Sequence, residues 1–395
     1  MVDYDCRNMR TTRNRAHLIA LSTRVPRHSA SPDIFARFLG KVLEHDCPPG
    51  ELEYWTAFLD RVVSQCGIRS RQSVLSDFAR SNPEDFEFFP RRWDLEPFPT
   101  TAQRMAIYEE EALRLAHAVA REALESGGLE PSRVTHLVVC SCTGFFAPGI
   151  DIRLCELLHL SPDVSRTLIG FMGCYSGFTG MRQASEIIGG DSEAVVLQVC
   201  VELCSIHFQK KRVQDLFIAN TLFGDGAAAA LYSAGAAGGS ELVELRASRS
   251  DLHLDSLDQM SWRIGDHGFE MRLSTLVPVT LRSRVRPFVD ALLGDGNTDR
   301  SDVVGWAIHP GGRRIVDDLG GALELSDDDL RSSRNVLAEH GNMSSATIFF
   351  VLEDLLRAGR SGCVAALGFG PGLTVEGALL ELRPRGSGPC RGEEL

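Results

Sequence analysis

Short apolar runs alternate with glycine-rich turns and with longer segments of helical period along most of the chain. The runs lie at residues 134–140, 194–201, 303–309 and 363–367. They are too short for ordinary helices and are bounded by turn-forming residues, a pattern typical of buried strands. Strands that alternate with helices predict an α/β fold with layered sheets.

One helical segment follows a stretch of small residues that contains Cys174. Apolar residues recur after it at three- and four-residue spacing, at Phe178, Met181, Ala184 and Ile188. This spacing predicts a largely buried helix that begins beside the cysteine. A helix N-terminus carries partial positive charge and favours a thiolate over a thiol. Cys174 is therefore a candidate nucleophile, although a lone buried cysteine is also a common inert core residue.

Two further polar residues stand beside glycines. His309 ends an apolar strand that a proline and two glycines halt, and Asn342 lies in a Gly-Asn turn. The turn precedes an apolar helix that Ser344 or Ser345 is expected to cap. Each residue alone also fits a structural role, a buried histidine or an ordinary turn. Because strand ends and helix starts line the sites of α/β folds, the joint occurrence of Cys, His and Asn predicts an active site.

The chain divides into two parts that repeat the same order of strands, helices and glycine-rich turns, which indicates an internal duplication. We predict an N-terminal half over residues 1–236 with the cysteine and a C-terminal half over 237–383 with the histidine and the asparagine. A linker is expected within 233–240. The polar tail 384–395 is predicted to be disordered, and residues 27–100 are predicted to be helical and surface-forming.

The composition excludes several classes of function. The chain has 395 residues, 44% of them hydrophobic, and a formal net charge of −12. It is long enough for a large core, and its acidity argues against nucleic-acid binding. No apolar stretch approaches the roughly 18 residues of a membrane span. With no signal peptide and eleven scattered cysteines, we expect no membrane insertion and a location in the reducing cytoplasm.

Three features imitate binding motifs. The pairs Cys140/Cys142 and Cys200/Cys204 lie in strand-like runs and lack the spacing of zinc ligands, so no metal site is expected. The turn at 368–372 lacks the spacing of a nucleotide-binding loop and leads into a strand. The basic groups 210–212 and 313–314 fit solvated helix ends, or docking sites for a carrier protein.

Together these segments are similar to a known family. Five of them occur in the family's order: Gly173-Cys174, Leu222 to Ala229, Ile308 to Gly312, Gly341 to Ala346 and Gly368 to Gly372. Over residues 15–383 the chain resembles the type III polyketide synthases, the chalcone-synthase-like branch of the thiolase-fold condensing enzymes. The resemblance implies a homodimer, a five-layer αβαβα fold and a buried site at the end of a pantetheine tunnel.

The resemblance also assigns roles to individual residues. Cys174 corresponds to the acyl-carrying nucleophile, and His309 and Asn342 to the pair that holds the thioester carbonyl. Phe223 corresponds to a gatekeeper and Phe269 to its partner. The other expected pocket residues are Cys142, Thr143, Glu202, Cys204, His207, Met260 and Ser344. The expected cyclisation loop consists of Gly368, Phe369, Gly370, Pro371 and Gly372. The residues expected to contact coenzyme A or a carrier protein are Arg61, Arg69, Arg71 and Arg313.

The implied reaction loads an acyl starter on Cys174, extends it with malonyl-CoA by repeated decarboxylative Claisen condensation, and cyclises the chain to a pyrone, a resorcinol or a related aromatic product. The starter is expected to arrive as an acyl-CoA or on a carrier protein, and no cofactor beyond coenzyme A thioesters is expected. Cys142 and Cys204 replace hydroxyl residues of the plant members. The segment 173–175 and Phe145-Phe146 resemble bacterial alkylpyrone and alkylresorcinol synthases.

Three alternatives stay open at this point. A ketoacyl-acyl-carrier-protein synthase shares the fold and the triad but condenses only once. A papain-like hydrolase uses Cys, His and Asn in the same order, but the C-G-S-C-W signature of that family is missing here. A catalytically silent partner protein of the same fold would carry a damaged triad, whereas all three triad residues are present in this sequence.

Overall fold

The computed structural model describes residues 14–235 and 242–383. Its strands are β1 (His17–Arg24), β2 (His28–Ala30), β3 (Arg71–Ser73), β4 (His136–Ser141), β5 (Ser165–Gly170), β6 (Val196–Leu203), β7 (Asp225–Ser233), β8 (Val243–Leu252), β9 (Met260–Gly265), β10 (Gly268–Leu273), β11 (Val303–Ile308), β12 (Gly362–Gly370) and β13 (Thr374–Leu382). Its α-helices are α1 (Pro32–Asp46), α2 (Leu52–Gln65), α3 (Thr101–Gly127), α4 (Ile150–Leu158), α5 (Ser176–Gly190), α6 (Gln214–Leu222), α7 (Val277–Asp295), α8 (Arg313–Leu323), α9 (Arg331–His340) and α10 (Thr347–Arg357). The four predicted strands correspond to β4, β6, β11 and β12.

Nine of these strands form one hydrogen-bonded sheet in the order β11-β12-β13-β8-β1-β7-β6-β4-β5. In the N-terminal group, β5, β4 and β6 are parallel, and β7 and β1 continue antiparallel. The C-terminal group has a similar pattern, with β11 parallel to β12 and then β13 and β8 antiparallel. The two groups meet where His17 and Leu18 of β1 pair with β8. They are therefore two sheets joined at one corner.

Side chains alternate between the two faces of each sheet and so divide the interior into three apolar layers. Val139 of β4 packs in an outer core with α3, whereas its neighbour Val138 faces a central core. Val364 of β12 joins the same central core, and its neighbour Ala365 packs in a second outer core with α7 and α8. Because α5 and α10 fill the central core, the layers run helix, sheet, helix, sheet, helix, which confirms the αβαβα prediction.

The position of α10 follows from its sequence. Its residues Thr347 to Leu352 are all buried, so nearly every side of the helix is covered. A helix of this kind needs packing partners on two opposite sides. The long helix α3 instead has one buried face, and a capping box between Thr100 and Gln103 fixes its start. A helix with one apolar face, such as α3, thus lies in an outer layer, and the nearly fully buried α10 lies in the middle one.

The prediction for residues 27–100 is right in part. Helices α1 and α2 are present, but the segment is not a surface layer. Its aromatic side chains pack into the first outer core, where Phe38 contacts the rings of Phe35, Phe78, Phe86, Phe89, Trp93 and Phe208. The aromatic residues occur at irregular spacing because only some of them lie in helices, whereas Phe86, Phe89 and Trp93 lie outside helix and strand. Periodicity alone therefore does not reveal their burial.

Another local expectation is wrong. Neither Ser344 nor Ser345 caps α10, because a short 3₁₀ turn over Ser344–Ala346 precedes the helix and no side chain caps it. Both hydroxyls instead turn toward the interior of the site. The predicted boundary at 236/237, most of the predicted linker and the tail 384–395 lie outside the described residues.

The nine cysteines in the described part of the chain are all free thiols. Within the same ranges, no helix combines the length and the apolarity that a bilayer crossing requires. No three His, Cys, Asp or Glu side chains of these ranges come together as a metal site.

The aromatic cluster generates a stability prediction. Phe38→Ala should lower the free energy of unfolding by about 3–5 kcal/mol, because it empties a fully packed site among other rings. Thermal unfolding followed by circular dichroism measures the effect. The matched control is Leu254→Ala, since Leu254 is 68% exposed and its removal should change little. Equal unfolding midpoints for the two variants would contradict the central role of this cluster.

Candidate active site

Cys174 lies two residues before α5, as expected from the small-residue stretch. Gly173 adopts φ +83°, a left-handed conformation that favours glycine, and a Cβ there would stand 2.7 Å from Pro371 Cδ. The chain before the nucleophile therefore packs directly on the turn between β12 and β13. The thiol itself is buried.

Asn342 is held in place by the end of α6. Its N–H donates to the Leu222 carbonyl at 3.0 Å, and its own carbonyl accepts from Gly224 N–H at 3.0 Å. Gly341 precedes it at φ +69°, where a Cβ would stand 2.7 Å from the Leu222 oxygen. The glycine is therefore needed for the close contact that aligns Asn342 with Phe223, its partner in an isolated bridge.

The orientation of the Asn342 carboxamide follows from its hydrogen bonds. Its Oδ1 accepts from Ser344 N–H at 2.8 Å and from Thr347 Oγ1 at 3.4 Å. The amide nitrogen is therefore the group left to act as a donor, and Nδ2 lies 3.8 Å from Cys174 Sγ. The Asn342 amide N–H thus faces the place where an acyl group on the sulfur would be held.

His309 follows β11 directly, and its N–H donates to the Leu367 carbonyl at 2.8 Å. The side chain is buried, and neither Nδ1 nor Nε2 has a hydrogen-bond partner among the described residues. An imidazole with both nitrogens unused is costly to bury without a ligand. His309 is therefore available to accept a proton or to donate a hydrogen bond within the site.

One cavity of about 610 Å³ brings the predicted triad together. It is lined by Cys142, Thr143, Gly173, Cys174, Cys204, Phe223, Met260, Trp262, Met271, Leu273, His309, Gly311, Ile315, Asn342, Ser344, Phe369 and Pro371. The N-terminal half supplies the cysteine and the C-terminal half the histidine and the asparagine. Six of the predicted pocket residues lie on the same walls: Cys142, Thr143, Cys204, Phe223, Met260 and Ser344.

The protonation states differ from the sequence expectation. Burial raises the pKa of the Cys174 thiol to about 11, against opposing hydrogen bonds from Ser344 and Asn342. Burial also lowers the pKa of His309 to about 3. Desolvation thus opposes the ionisation of Cys174 that the helix N-terminus favours. Both shifts favour the neutral thiol and the neutral imidazole.

Glu202, one of the expected pocket residues, is the centre of a buried polar network. Its carboxylate accepts from Cys142 N–H at 3.0 Å, from Thr143 Oγ1 at 2.8 Å and from Ser345 Oγ at 2.6 Å. Cys142 Sγ lies 3.4 Å from the carboxylate and 3.3 Å from Ser344 Oγ. Burial raises the pKa of Glu202, and these hydrogen bonds oppose the shift. Ser344 joins the network through Cys142.

Phe223 lines both the triad cavity and a second one of about 410 Å³, as do Cys204, Trp262 and Met271. Phe269 lines only the second. Its ring stacks on His207 with centroids 4.1 Å apart, and its N–H donates to His207 Nδ1 at 2.9 Å. His207 therefore carries its proton on Nε2, which donates to the Thr143 carbonyl at 2.7 Å. Burial lowers the pKa of His207 to about 3, so this arrangement persists at neutral pH.

The glycine-rich turn predicted as the cyclisation loop divides its residues between two faces. A Cβ at Gly368 would stand 2.4 Å from the Phe178 ring, and one at Gly370 would stand 2.5 Å from the Tyr175 ring. Phe369 and Pro371 point the other way and line the triad cavity. Gly372 adopts φ +133°, so all three glycines serve the approach of β12 to α5 or the turn itself. The following strand β13 agrees with the sequence expectation.

A third cavity of about 900 Å³ opens beside the first and shares Leu273, Gly311 and Ile315 with it. Arg313 and Arg314 also line it; their side chains are exposed and form i,i+4 pairs with Asp317 and Asp318. The third cavity therefore adjoins the triad cavity at these three shared residues.

The other predicted basic residues have different surroundings. Arg61 is exposed on α2, next to Val62, which lines the third cavity, called the outer cavity from here on. Arg69 pairs with Glu339 and borders a separate surface groove. Arg71 is buried, lies 4.0 Å from the Phe35 ring centroid and donates to the Phe223 carbonyl at 2.5 Å. A coenzyme A contact for Arg71 is therefore wrong, because this guanidinium supports the Phe223 backbone inside the protein.

The basic group 210–212 is also engaged internally. Lys210 pairs with Asp46 and Glu96, Lys211 with Glu270, and Arg212 with Asp46 and Glu51. These ion pairs favour the interpretation of residues 210–212 as a structural segment over their interpretation as a docking site for a carrier protein.

Sequence reasoning missed three residues of the site. Trp262 lines both inner cavities, and its Nε1 donates to the Cys142 carbonyl at 2.7 Å. Met271 lies on the same two walls, and Ser345 contacts Glu202 directly. Trp262 and Met271 belong to the hairpin of β9 and β10, whose alternation is broken by exposed apolar residues such as Ile264. The only sign in the sequence that this hairpin contributes to the site was Trp262 itself, which directly precedes Arg263.

Comparisons with known proteins agree with this geometry. The chain matches the family of chalcone and stilbene synthases, with its N-terminal domain over residues 4–236 and its C-terminal domain over residues 244–383. It is 32% identical over 352 residues to the alpha-pyrone synthesis polyketide synthase-like Pks18 of Mycobacterium tuberculosis, which covers 87% of this chain and 86% of the relative.

Solved structures show the same fold. PKS-I of the brown alga Ectocarpus siliculosus superposes with a TM-score of 0.85 and 30% identity, over 93% of this chain and 98% of that one. The C-terminal type III polyketide synthase domain of Steely1 from Dictyostelium gives a TM-score of 0.83 at 24% identity, over 93% of this chain and 99% of the domain. The second likeness supports the fold alone.

The chain belongs to the chalcone and stilbene synthase family. It is a type III polyketide synthase, an acyltransferase-type condensing enzyme.

The protonation states of Cys174 and His309 predict how the nucleophile responds to pH. Because alkylation requires the thiolate and the pKa of Cys174 is raised to about 11, the rate should rise about tenfold per pH unit at neutral to mildly alkaline pH, without a plateau. Timed iodoacetamide labelling, read by mass spectrometry of the peptide that contains Cys174, measures this. His309→Ala should leave the rate at neutral pH nearly unchanged. A plateau at neutral pH that vanishes in His309→Ala would instead reveal an imidazolium–thiolate pair.

Proposed function

We propose that Cys174 carries the acyl group, and that His309 and Asn342 hold the thioester oxygen during both condensation and malonyl decarboxylation. The observation that supports this most strongly is the arrangement in one buried cavity. The Asn342 amide donor stands 3.8 Å from Cys174 Sγ, and an unpartnered His309 ring lines the same walls.

Acyl loading requires the thiol proton to leave. The neutral imidazole of His309, with its pKa lowered by burial, is free to accept that proton as the sulfur attacks the incoming thioester. The sulfur–carbon bond forms, the coenzyme A thiolate leaves, and the imidazolium returns the proton to the departing sulfur. In this step the imidazolium is present only while the acyl group is being transferred.

Decarboxylation poses the opposite problem, because negative charge develops on the malonyl thioester oxygen as carbon dioxide leaves. Two fixed donors, the Asn342 amide and a protonated nitrogen of His309, can stabilise that oxygen. The walls around it are largely apolar, with Met260, Phe223 and Phe369 among them. Such walls solvate a carboxylate poorly and neutral carbon dioxide well, which favours the bond cleavage. The resulting enolate carbon attacks the acyl carbon on Cys174 and displaces its sulfur.

Substrate delivery is the second part of the proposal. The family uses coenzyme A thioesters, and the outer cavity with Arg313 and Arg314 at its surface end suits the phosphates of such a donor. Malonyl-CoA and an acyl-CoA starter would enter there, and no further cofactor takes part. A starter on a carrier protein would approach the same basic surface. The product class proposed is a pyrone, a resorcinol or a related aromatic polyketide, of the bacterial alkylpyrone type.

The quaternary structure and the location complete the proposal. Strand β5 is an edge of the main sheet, and Leu168 on it is 47% exposed. An unpaired edge with an apolar side chain is a natural contact between two copies, so we propose a homodimer, in the cytoplasm. The two-half division at 236/237 remains part of this proposal. Sedimentation velocity measures the assembly, and a monomer at micromolar concentration would argue against it.

The assignment of Asn342 is tested by replacement. Asn342→Ala should lower malonyl decarboxylation by about 10²–10³-fold, the usual effect of removing one oxyanion donor, whereas acylation of Cys174 should survive. Carbon dioxide release and the mass of the acylated protein measure the two steps separately. Asn335→Ala, on the neighbouring helix α9, is the matched control. Full condensation activity in Asn342→Ala would refute the role of this residue.

Product analysis separates the proposed function from its nearest alternative. Incubation of the protein with malonyl-CoA and a panel of acyl-CoA starters, read by mass spectrometry, should reveal several two-carbon extensions and a ring. A single extension would instead support a ketoacyl-acyl-carrier-protein synthase activity. Peptide cleavage, the hydrolase alternative, is tested with casein under the same conditions and is not expected.

A further inference from the structure

One polar side chain stands out in the apolar central layer. Gln198 of β6 is fully buried, between Val196 and Cys200 of the same strand face. Its Nε2 donates to the Gly177 carbonyl at 2.9 Å, and its Oε1 accepts from the Tyr232 hydroxyl at 3.0 Å. The amide therefore connects β6 and β7 to the first turn of α5.

A second contact reaches the same turn. Cys140 Sγ of β4 donates to the Ser176 carbonyl at 3.4 Å, and Gln198 Nε2 lies 3.8 Å from that sulfur. The carbonyls of the first two residues of α5 are thus both held by side chains of the N-terminal sheet. Cys174 lies two residues before this turn.

The sequence of α5 makes room for this contact. A Cβ at position 180 would stand 2.2 Å from Gln198 Nε2. Gly180 therefore permits the helix to approach β6 closely enough for the hydrogen bond to Gly177. A glycine inside a helix is unfavourable relative to alanine, so the close approach has a cost in helix propensity that the hydrogen bonds offset.

We propose that Gln198 is a positioning residue for the nucleophile, which acts with Tyr232 and Cys140. Apolar contacts alone let a buried helix slide or rotate by small steps, whereas a fully satisfied polar network accepts one arrangement. By fixing the first turn of α5, Gln198 sets the distance from Cys174 Sγ to the Asn342 amide. This inference rests on the proposed function of Cys174.

The test removes the network without leaving a buried polar group unpaired. In Gln198→Met with Tyr232→Phe the side-chain volumes are nearly kept, and the Gly177 carbonyl retains its place in the helix. We expect the unfolding midpoint to stay within a few degrees. The kcat for condensation should fall about 10–100-fold, because misplacement of reacting groups by about 1 Å has effects of this size. The KM for malonyl-CoA should change less than about twofold, since the outer cavity is untouched, and iodoacetamide labelling of Cys174 should change in rate.

Gln183→Met is the matched control. Gln183 lies on the same helix and donates to Thr167 Oγ1 of β5 at 3.1 Å, so its loss removes a helix–sheet hydrogen bond away from the first turn. Its kcat should stay at the wild-type value. An equal loss in Gln183→Met, or wild-type kcat and labelling in the folded double variant, would overturn the inference.

Two further variants keep the result decisive. If the double variant does not fold, Gln198→Asn is measured instead, because the shorter amide stays polar but withdraws from Gly177; an unchanged kcat would again overturn the inference. Cys174→Ala tests the proposed function separately. If that variant still condenses, the function of Cys174 fails; if it is inactive while the Gln198 variants behave as wild type, only the positioning role fails.

Discussion

The removal of water from around Cys174, His309 and Asn342 is the constraint on which the rest of the site depends. In water the pKa values of a thiol and an imidazole differ by only a few units. Burial widens this difference, because it raises the pKa of Cys174 and lowers the pKa of His309. Both shifts disfavour an ion pair, because a buried cavity solvates charge poorly. The Asn342 amide, oriented by the N–H of Ser344, supplies a donor whose direction does not depend on protonation.

The same constraint governs the other buried polar groups. Glu202 accepts from Cys142, Thr143 and Ser345, and its burial would otherwise be prohibitive. Arg71 remains protonated at neutral pH, although burial lowers its pKa to about 10. Its guanidinium donates a hydrogen bond to the carbonyl of Phe223. Each group links two elements that meet at the cavity. Polar residues inside this fold therefore serve to align elements and do little to raise stability.

Much of the fold and of the triad was predictable from the sequence because the relevant signals are local. Apolar runs with bounding glycines indicated β4, β6, β11 and β12, and the helical spacing after Cys174 indicated α5. The burial of the aromatic residues around Phe38 escaped prediction, because they occur in irregular segments and meet only in three dimensions. The contact of Ser345 with Glu202 depends on a short 3₁₀ turn, where a one-residue shift decides which hydroxyl faces the carboxylate.

The ionisation of Cys174 is the point on which the sequence signals and the packed structure differ most. A helix N-terminus and a nearby histidine suggested an ionised sulfur, and both features are present. Whether these two features are sufficient to ionise the sulfur depends on how much water remains around it. The amount of water is set by the packing of the whole protein. No pattern within the segment around the cysteine records the depth of the cavity or the neutral state of His309.

The packing of Gly173 against Pro371 has a consequence for recombination between relatives. The backbone that precedes the nucleophile and the hairpin that closes the cavity come from opposite halves of the chain, yet they fit each other with no space for one additional carbon atom. A hybrid enzyme assembled from the front of one homologue and the back of another inherits two surfaces that were never shaped together. Swaps intended to diversify products in such enzymes should therefore carry this glycine and this proline as a pair.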